Sequence, residues 1–497
     1  MTVTRTGEQG HDRYRWWGLV VIALAQLMVV LDATIVNIAL PSAQRYLHMS
    51  DANRQWVITA YTLAFGGLLL LGGRIADYVG RKRTFVIGLI GFAAASGIGG
   101  AAESSGMLFG ARALQGLFAA VLAPSALSLL TTTFTDPRER GKAFGIYGAI
   151  AGGGAAIGLM AGGLLTEYLS WRWCLYVNIP IAVIAVIGAV LLLHDRPGHQ
   201  EARLDVPGVV LGCGGLVAIV YGFSEAQPRG WDDSLVLGML CGGVALLVVF
   251  VWWQRRARYP LLPLHIVRER NRAGSFLTMG LATIGMFGLF LFMTYYLQTI
   301  LGYSPLKTGA AFLPMAAAIV IGSTQISARL LPHTAPRNLM VPGMLLAAGG
   351  LLILTQLTVE AEYATHVLPA ELLLGLGMGL TFMPVMATAT QGVAVHDSGV
   401  TSATVNTAQQ VGGSIGTALL NTIATSAAAR YVAGHQVNPR NPRPVIAAGA
   451  VHGYSVAIWW AVVIMLLGAL VAGLFVTGKP PKQVPAAEQA LSEEEVR

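Results

Sequence analysis

Fourteen runs of about twenty apolar residues, separated by short polar or glycine-rich breaks, leave this chain one class of fold. They fall at roughly 16–41, 54–72, 84–102, 107–132, 143–166, 174–193, 206–224, 234–253, 274–299, 308–329, 339–359, 367–393, 401–428 and 451–477. A helix of this length crosses the hydrocarbon core of a bilayer with its backbone N–H and C=O groups satisfied internally, which lipid cannot do for it. Hydrophobic side chains make up 55% of the 497 residues and charged ones only 11%, too little polar surface to cover a soluble globule. The expectation is an all-α integral membrane protein with fourteen transmembrane helices. The first run is too long for the apolar core of a signal peptide and lacks a small-residue cleavage site, so it stays as helix 1.

An even number of spans puts both ends of the chain on one side, and the basic residues choose that side. With a cytoplasmic N-terminus, 23 of the 32 Lys and Arg lie inside, 8 lie outside and Arg112 lies within a span. The net charge of +8 is therefore mostly a topological signal. No basic stretch stands on a foldable soluble domain, so nucleic acid is not an expected partner. At about 1.5 Å per helical residue, Cys213 lies about 12 Å from the inner face and Cys241 about 10 Å from the outer one, too far apart in depth for a disulfide. No His, Cys or acid spacing calls for a metal, and there is neither an HExxH nor a phosphate-binding loop, so neither an enzyme nor a cofactor is expected.

Two halves repeat. Helices 4 and 12 each carry a late proline, Pro124 and Pro384, and helices 5 and 13 are glycine-dense from Gly152 to Gly163 and from Gly412 to Gly416. That pairs helices 1–6 with helices 9–14. The expected organisation is a cytoplasmic N-terminal segment at 1–15, an N-terminal six-helix bundle at 16–193, two inserted helices with a basic cytoplasmic linker at 194–273, a C-terminal six-helix bundle at 274–477, and a disordered cytoplasmic tail at 478–497.

Between the second and third spans stands Gly73-Arg74-Ile75-Ala76-Asp77-Tyr78-Val79-Gly80-Arg81-Lys82-Arg83. One acid, four bases and two glycines must turn tightly there and hold their charge at one membrane face. The segment resembles the signature cytoplasmic loop of the major facilitator superfamily, G-x-x-x-D-x-x-G-R-K/R. The run from Leu31 to Pro41, LDATIVNIALP, resembles the helix 1 signature of that superfamily's fourteen-span drug:proton antiporter branch. Trp171-Arg172-Trp173 with Tyr176, Asn178 and Pro180 resembles the branch's helix 5 to 6 junction, and Arg112-Ala113-Leu114-Gln115-Gly116 matches its helix 4 motif R-x-x-Q-G. The resemblance covers residues 14–477. It implies two six-helix bundles plus two inserted helices, and a proton-coupled efflux transporter for hydrophobic or cationic drugs or specialised metabolites, working by alternating access in the cell membrane and tied to antibiotic resistance. The proton gradient is then the energy source, with no cofactor. The partners are the bilayer, a small-molecule substrate and protons, and the working state is a monomer. One departure stands out. The helix 5 antiporter motif has Gly-Pro where this chain has Gly158-Leu159. It keeps open a narrow-substrate proton-coupled symporter, or a lipid or organic-acid carrier, of the same fold.

Candidate site residues follow from the cost of charge in lipid. An ionised Asp near the bilayer centre costs about 2.5–3.5 kcal/mol on insertion scales, so Asp32 should face a cavity, find a partner or bind a proton. Arg112 precedes Pro124 by 12 residues and Glu371 precedes Pro384 by 13, placing opposite charges at nearly equivalent points of the two halves. Asp32, Glu371 and Arg112 are the proton-coupling candidates. Asp32 projects away from Gln26, Thr34 and Asn37 on helix 1, so proton and substrate faces should differ there. By the resemblance, Gly73, Asp77, Gly80, Arg81 and Lys82 form a cytoplasmic gate, with Asp77 at the N-terminus of helix 13 near Gly399 to Ser402, where a helix dipole favours an anion. Gln26, Asn37, Tyr61, Phe65, Phe287, Phe290, Tyr295, Tyr296, Met378, Phe382 and Met386 are the candidate cavity walls, since aromatic and Met side chains suit bulky apolar or cationic ligands. Gly154, Gly158 and Gly162 recur every four residues and should let a neighbouring helix approach closely. The topology is testable at the tail. A cysteine placed at Ser492 should react only with reagents that enter the cytoplasm, and labelling from outside intact cells would contradict the orientation.

Overall fold

Chain segments that must satisfy their own backbone groups in lipid have one outlet, and every long element among the described residues is helical. The computed structural model describes residues 8–51, 53–134, 137–193, 205–258, 260–391, 393, 398–436 and 443–478. Six helices come first: α1 (Glu8–Tyr46), α2 (Trp56–Val79), α3 (Arg81–Gly100), α4 (Ser105–Thr133), α5 (Pro137–Tyr168) and α6 (Trp173–Leu192). A pair follows, α7 (Val206–Arg229) and α8 (Ser234–Gln254). The last six are α9 (Arg270–Ile300), α10 (Pro305–Leu330), α11 (Arg337–Leu354), α12 (Tyr363–Thr390), α13 (Ser398–Ala433) and α14 (Arg443–Phe475). Single π-helical stretches interrupt the hydrogen-bond ladder at Tyr296–Ile300, Ile321–Ser327 and Tyr363–Val367.

Twelve helices among the described residues are long and apolar enough to cross a membrane. α5, parts of whose side chains lie outside the described residues, and α13, which carries many Ser, Thr, Asn and Gln, are not among the twelve. Membrane-crossing by length and apolarity is thus established for twelve helices, and the expected fourteen is not. A helix covered by neighbours rather than by lipid has less need to be apolar.

Two bundles arise from how these helices pack. In the first, α2 and α3 lie on α4, while α1 lies on α5 and α6. In the second, α11 lies on α12 and α14, and α9 lies on α13 and α14. α7 and α8 pair with one another, and α7 rests on α2 and α13. It is fastened there by Cys213 Sγ to the Gly67 carbonyl at 3.2 Å and by Thr422 Oγ1 to the Phe223 carbonyl at 2.8 Å. The three cysteines are free. Asp205 caps α7 by accepting from the Gly208 amide at 3.0 Å, and accepts at 2.7 Å from both Trp253 Nε1 and Gln254 Nε2 at the end of α8. Glu269 caps α9. Burial acts against its charge, but hydrogen bonds from the Asn271 and Arg272 amides outweigh that and hold its carboxyl below the usual range.

Association in lipid depends on close packing, since lipid tails are as apolar as the side chains. A Cβ on Gly158 would lie 2.0 Å from Thr34 Oγ1, and one on Gly162 would lie 2.9 Å from the Ile35 carbonyl, so α5 lies against α1 along this glycine face. Gly154 meets Val30 and Leu27 on the same face. Between the bundles, a Cβ on Gly309 of α10 would stand 2.4 Å from the Leu159 carbonyl of α5. Gly80 separates α2 from α3 with φ 104°, a conformation that L side chains resist.

The hydrogen bonds described between the two bundles lie toward the end opposite the termini. Tyr295 Oη donates to Gln44 Oε1, Gln298 Nε2 to the Ile38 carbonyl at 3.0 Å, and the Leu306 amide to Glu167 Oε2 at 2.9 Å. Thr62 and Ser414 hydroxyls meet at 2.7 Å nearer the middle. Small-residue contacts of this kind are testable by stability. Gly158→Ala should destabilise the detergent-purified protein by roughly 1–3 kcal/mol through overpacking. Gly110→Ala, where the new methyl meets nothing within 4 Å, should not. Equal melting temperatures for the two variants would contradict the close α1–α5 approach.

Candidate functional site

Asp32 sits in the middle of α1 and is completely buried, as is Arg112 on α4 at 1% exposure. Removing two ions from water costs roughly several kcal/mol each, and only good geometry with further hydrogen bonds offsets it. The site supplies both. Arg112 Nη1 lies 2.6 Å from Asp32 Oδ2. Gln115 Nε2 and Asn178 Nδ2 donate to Asp32 Oδ1 at 3.0 and 2.8 Å, so α1, α4 and α6 converge on one carboxylate. Arg112 is held in turn. Its Nη1 also donates to Gln115 Oε1 at 2.9 Å, its Nε donates to the Val57 carbonyl at 2.9 Å, and its guanidinium lies 4.4 Å above the Tyr61 ring. Ser96 Oγ on α3 accepts from Gln115 at 2.7 Å and from Asn178 at 3.3 Å.

Three donors aimed at two oxygens fit an ionised Asp32. Those donors leave one lone-pair site on Oδ2, and a proton there would neutralise the carboxylate and weaken its charge-assisted bond to Arg112. Two buried polar atoms beside the cluster, Tyr61 Oη and Asn178 Oδ1, have no hydrogen-bond partner, leaving acceptor and donor capacity there. On the other face of α1, Tyr147 Oη of α5 donates to Gln26 Oε1 at 2.6 Å, and Thr34 lies against Gly158. Helix 1 thus presents Asp32 to α4 and α6, and Gln26 and Thr34 to α5.

Glu371 lies elsewhere. It is fully buried near the start of α12 in the second bundle, with Oε2 3.4 Å from Tyr363 Oη and Oε1 without a partner. The structure brings Asp32 and Arg112 together but does not bring Glu371 to them. Among the candidate cavity residues, Asn37, Tyr61, Phe65, Tyr295, Tyr296 and Met378 are buried in this conformation and face packed neighbours. Asn37 bonds back to the Ala33 carbonyl, and Tyr296 Oη donates to the Thr358 carbonyl at 2.8 Å. Gln26, Phe287, Phe290 and Phe382 are half-buried, and Met386 is 37% exposed. Phe287 leans on Gly413, and Phe290 lies 5.3 Å from Phe312.

In the gate segment, Lys82 Nζ caps the end of α6 through the Val190 and Leu193 carbonyls at 2.9 and 2.6 Å. Arg74 Nη2 donates to the Pro260 carbonyl at 3.1 Å, tying the segment to the linker after α8. Gly73 and Arg81 are half-buried. The side chain of Asp77 lies outside the described residues. Sequence reasoning missed Ser96 entirely and did not place Asn178 in the site. Asn178 was visible in the helix 5 to 6 junction motif, whereas a serine in a run of Ala and Gly carries no signal.

Comparison with known proteins agrees with this architecture. The pattern describing the Major Facilitator Superfamily matches residues 22–417. A puromycin resistance protein of Streptomyces alboniger is 59% identical over 473 residues, covering 95% of this chain and 93% of that protein. A cephamycin export protein of Amycolatopsis lactamdurans is 37% identical over 427 residues, 85% of this chain and 88% of that one. A tetracenomycin C resistance and export protein of Streptomyces glaucescens is 34% identical over 429 residues, 85% and 78% of the two chains. Among solved structures, an auto-inhibited peptide transporter of the POT family overlays with a TM-score of 0.67 at 17% identity, covering 95% of this chain and 99% of that one. A bacterial homologue of the human lysosomal transporter Spinster, inward-facing and occupied, gives 0.65 at 15%, covering 93% and 96%. With its helical bundles, its multiple membrane-crossing helices and a family match over most of its length, the chain is a multi-pass membrane protein that belongs to the Major Facilitator Superfamily.

Proposed function

We propose that the protein is a proton-coupled exporter of antibiotics or similar drugs, with puromycin the first compound to test. The sealed Asp32–Arg112 pair carries this reading: it places a titratable carboxylate in the lipid-spanning part of the first bundle, where a proton's arrival would alter contacts that four helices share. The export direction is supported by the relatives named for puromycin resistance, cephamycin export and tetracenomycin export. Fourteen spans with both termini cytoplasmic fit the bias of basic residues toward that side. In that orientation the interlocked end of the bundles faces outward. Asp32 then lies beneath the outer closure and becomes reachable when the outer side opens, where protons are abundant in an energised cell.

Register supports the gate role of Asp77. Thr62 meets Ser414, and Gly66 meets Gln410, so α2 and α13 run antiparallel in step. At an equal rise per residue, that register brings residue 77 level with residue 399, at the start of α13. A carboxylate there would favour the closed inner side through the helix dipole. Oligomeric state plays no part in the proposal, and a single copy suffices. Leu159, in place of the motif proline, sits inside an uninterrupted α5 with its carbonyl against Gly309, so this helix needs no proline kink to reach the second bundle. A symporter would move puromycin and protons in the same direction.

Proteoliposomes with an imposed pH gradient separate the possibilities. The wild-type protein should accumulate puromycin against its gradient. Asp32→Asn should lower gradient-driven accumulation at least about tenfold, a loss of roughly 1.4 kcal/mol or more of coupling, while retaining exchange without a gradient. Because Asp32→Asn leaves Arg112 buried without its counter-charge, which costs about 3–5 kcal/mol in comparable pairs, the Asp32→Asn/Arg112→Gln variant serves as the folded control. Full gradient-driven accumulation by Asp32→Asn would move the proton site away from Asp32, with Glu371 the next acid to test.

A further inference from the structure

A second arginine, Arg54, is almost as buried as Arg112, at 4% exposure, although it stands in the loop between α1 and α2. It belongs to the first bundle, yet its guanidinium lies 3.8 Å above the ring of Tyr295 in α9, and its Nε donates to Asn421 Oδ1 of α13 at 3.4 Å. Asn421 returns across the same seam, donating to the Asp51 carbonyl at 3.0 Å and to Gln55 Oε1 at 2.8 Å. Tyr295 is itself anchored to Gln44 of α1, immediately before the π-helical stretch at the end of α9. Among the described residues the acid on Arg54 is Asp51, at 3.1 Å, and its side chain is 69% exposed. A guanidinium held across an interface by a ring face, an amide and the Tyr454 hydroxyl of α14, with its carboxylate on the water side, can be released without leaving a buried anion behind.

The turn that carries Arg54 is also the one gripped by the buried pair. Arg112 Nε donates to the Val57 carbonyl at 2.9 Å, and the Val57 amide donates to the Arg54 carbonyl at 3.3 Å. Asp32, Arg112, the first turn of α2 and Arg54 thus form one continuous chain of hydrogen bonds from the middle of the first bundle to the seam. The titratable groups placed around Asp32 are Arg112 on α4, Tyr61 on α2 and Cys174 on α6. We propose that Arg54 is the latch that closes the two bundles at the end opposite the termini, and that the Asp32–Arg112 pair sets the position of that latch through the first turn of α2. The second clause rests on the proton-coupled reading above, and the first does not.

The test uses the full-length protein in nanodiscs, with Cys174, Cys213 and Cys241 replaced by serine and spin labels at Glu103 and Glu360, both exposed at that end. Arg54→Gln should shift the open-to-closed ratio in the distance distribution by about tenfold toward open. Arg54→Lys, which keeps a cation over the ring, should fall between. Tyr295→Leu, which removes the ring, should open the seam as well and replaces Arg54→Gln if that variant is not recovered folded. Distributions unchanged in these variants would overturn the latch. Asp32→Asn should widen the seam when Arg54 is present and add nothing to Arg54→Gln, and additive shifts would overturn the link to the buried pair. Open distributions in the Arg54 variants together with full proton-driven transport by Asp32→Asn would refute the proton assignment and leave the latch standing.

Discussion

A carboxylate and a guanidinium inside a membrane bundle must be matched to one another or the bundle bears the cost of both. The Asp32–Arg112 pair meets that demand with donors from α4 and α6, an acceptor carbonyl on α2 and a supporting ring from Tyr61. Four helices of the first bundle are therefore positioned by one carboxylate and the residue that answers it. Close helix approach makes this possible. A Cβ on Gly116, one residue beyond Gln115, would lie 2.3 Å from the Tyr61 carbonyl, so α2 and α4 touch backbone to backbone beside the pair.

The same physics explains why the seam between the bundles is built differently. A contact that must open and close in each cycle cannot be a fully buried ion pair, whose rupture costs about 3–5 kcal/mol when one partner is removed. The seam instead uses amides, hydroxyls and tyrosines around Arg54, the exposed Glu167 carboxylate on the Leu306 amide, and backbone contacts at Gly309 and Gly163, which water can replace. A stiff, ion-paired first bundle joined to the second by a soft polar seam is what rocking about a central site calls for.

Much of this was legible in the sequence. Lipid imposes the helix lengths, so the apolar runs locate the helices, with ends that differ by up to eight residues where α1 and α14 start before the run does, and the Gly73 to Arg83 segment predicts the tight turn that Gly80 makes. Asp32, Arg112 and the glycine face of α5 stood out because charge and missing side chains are conspicuous in lipid. Facing direction was not legible. Tyr295, Tyr296 and Met378 were read as cavity walls, yet they are buried against neighbours in this conformation, because an aromatic in a membrane helix gives no sign of whether it meets ligand, lipid or another helix. Arg54 counted only as one outer positive charge, since its meeting with Asn421, 367 residues later, depends on how two bundles dock. Glu371 matches Arg112 in its spacing to a proline, but equivalent places in two repeats need not touch, and the structure puts Tyr363 beside it instead.

Coupling between protons and cargo is the claim on which the rest of the account depends. Its most direct test is run backwards, with no pH gradient imposed: proteoliposomes are loaded with puromycin, diluted into puromycin-free buffer, and followed with an internal pH indicator. Coupled antiport through the buried pair predicts that puromycin leaving the vesicles draws protons in, acidifying the interior in proportion to the puromycin lost. Puromycin efflux with an unchanged internal pH, or with protons leaving alongside it, would contradict the account.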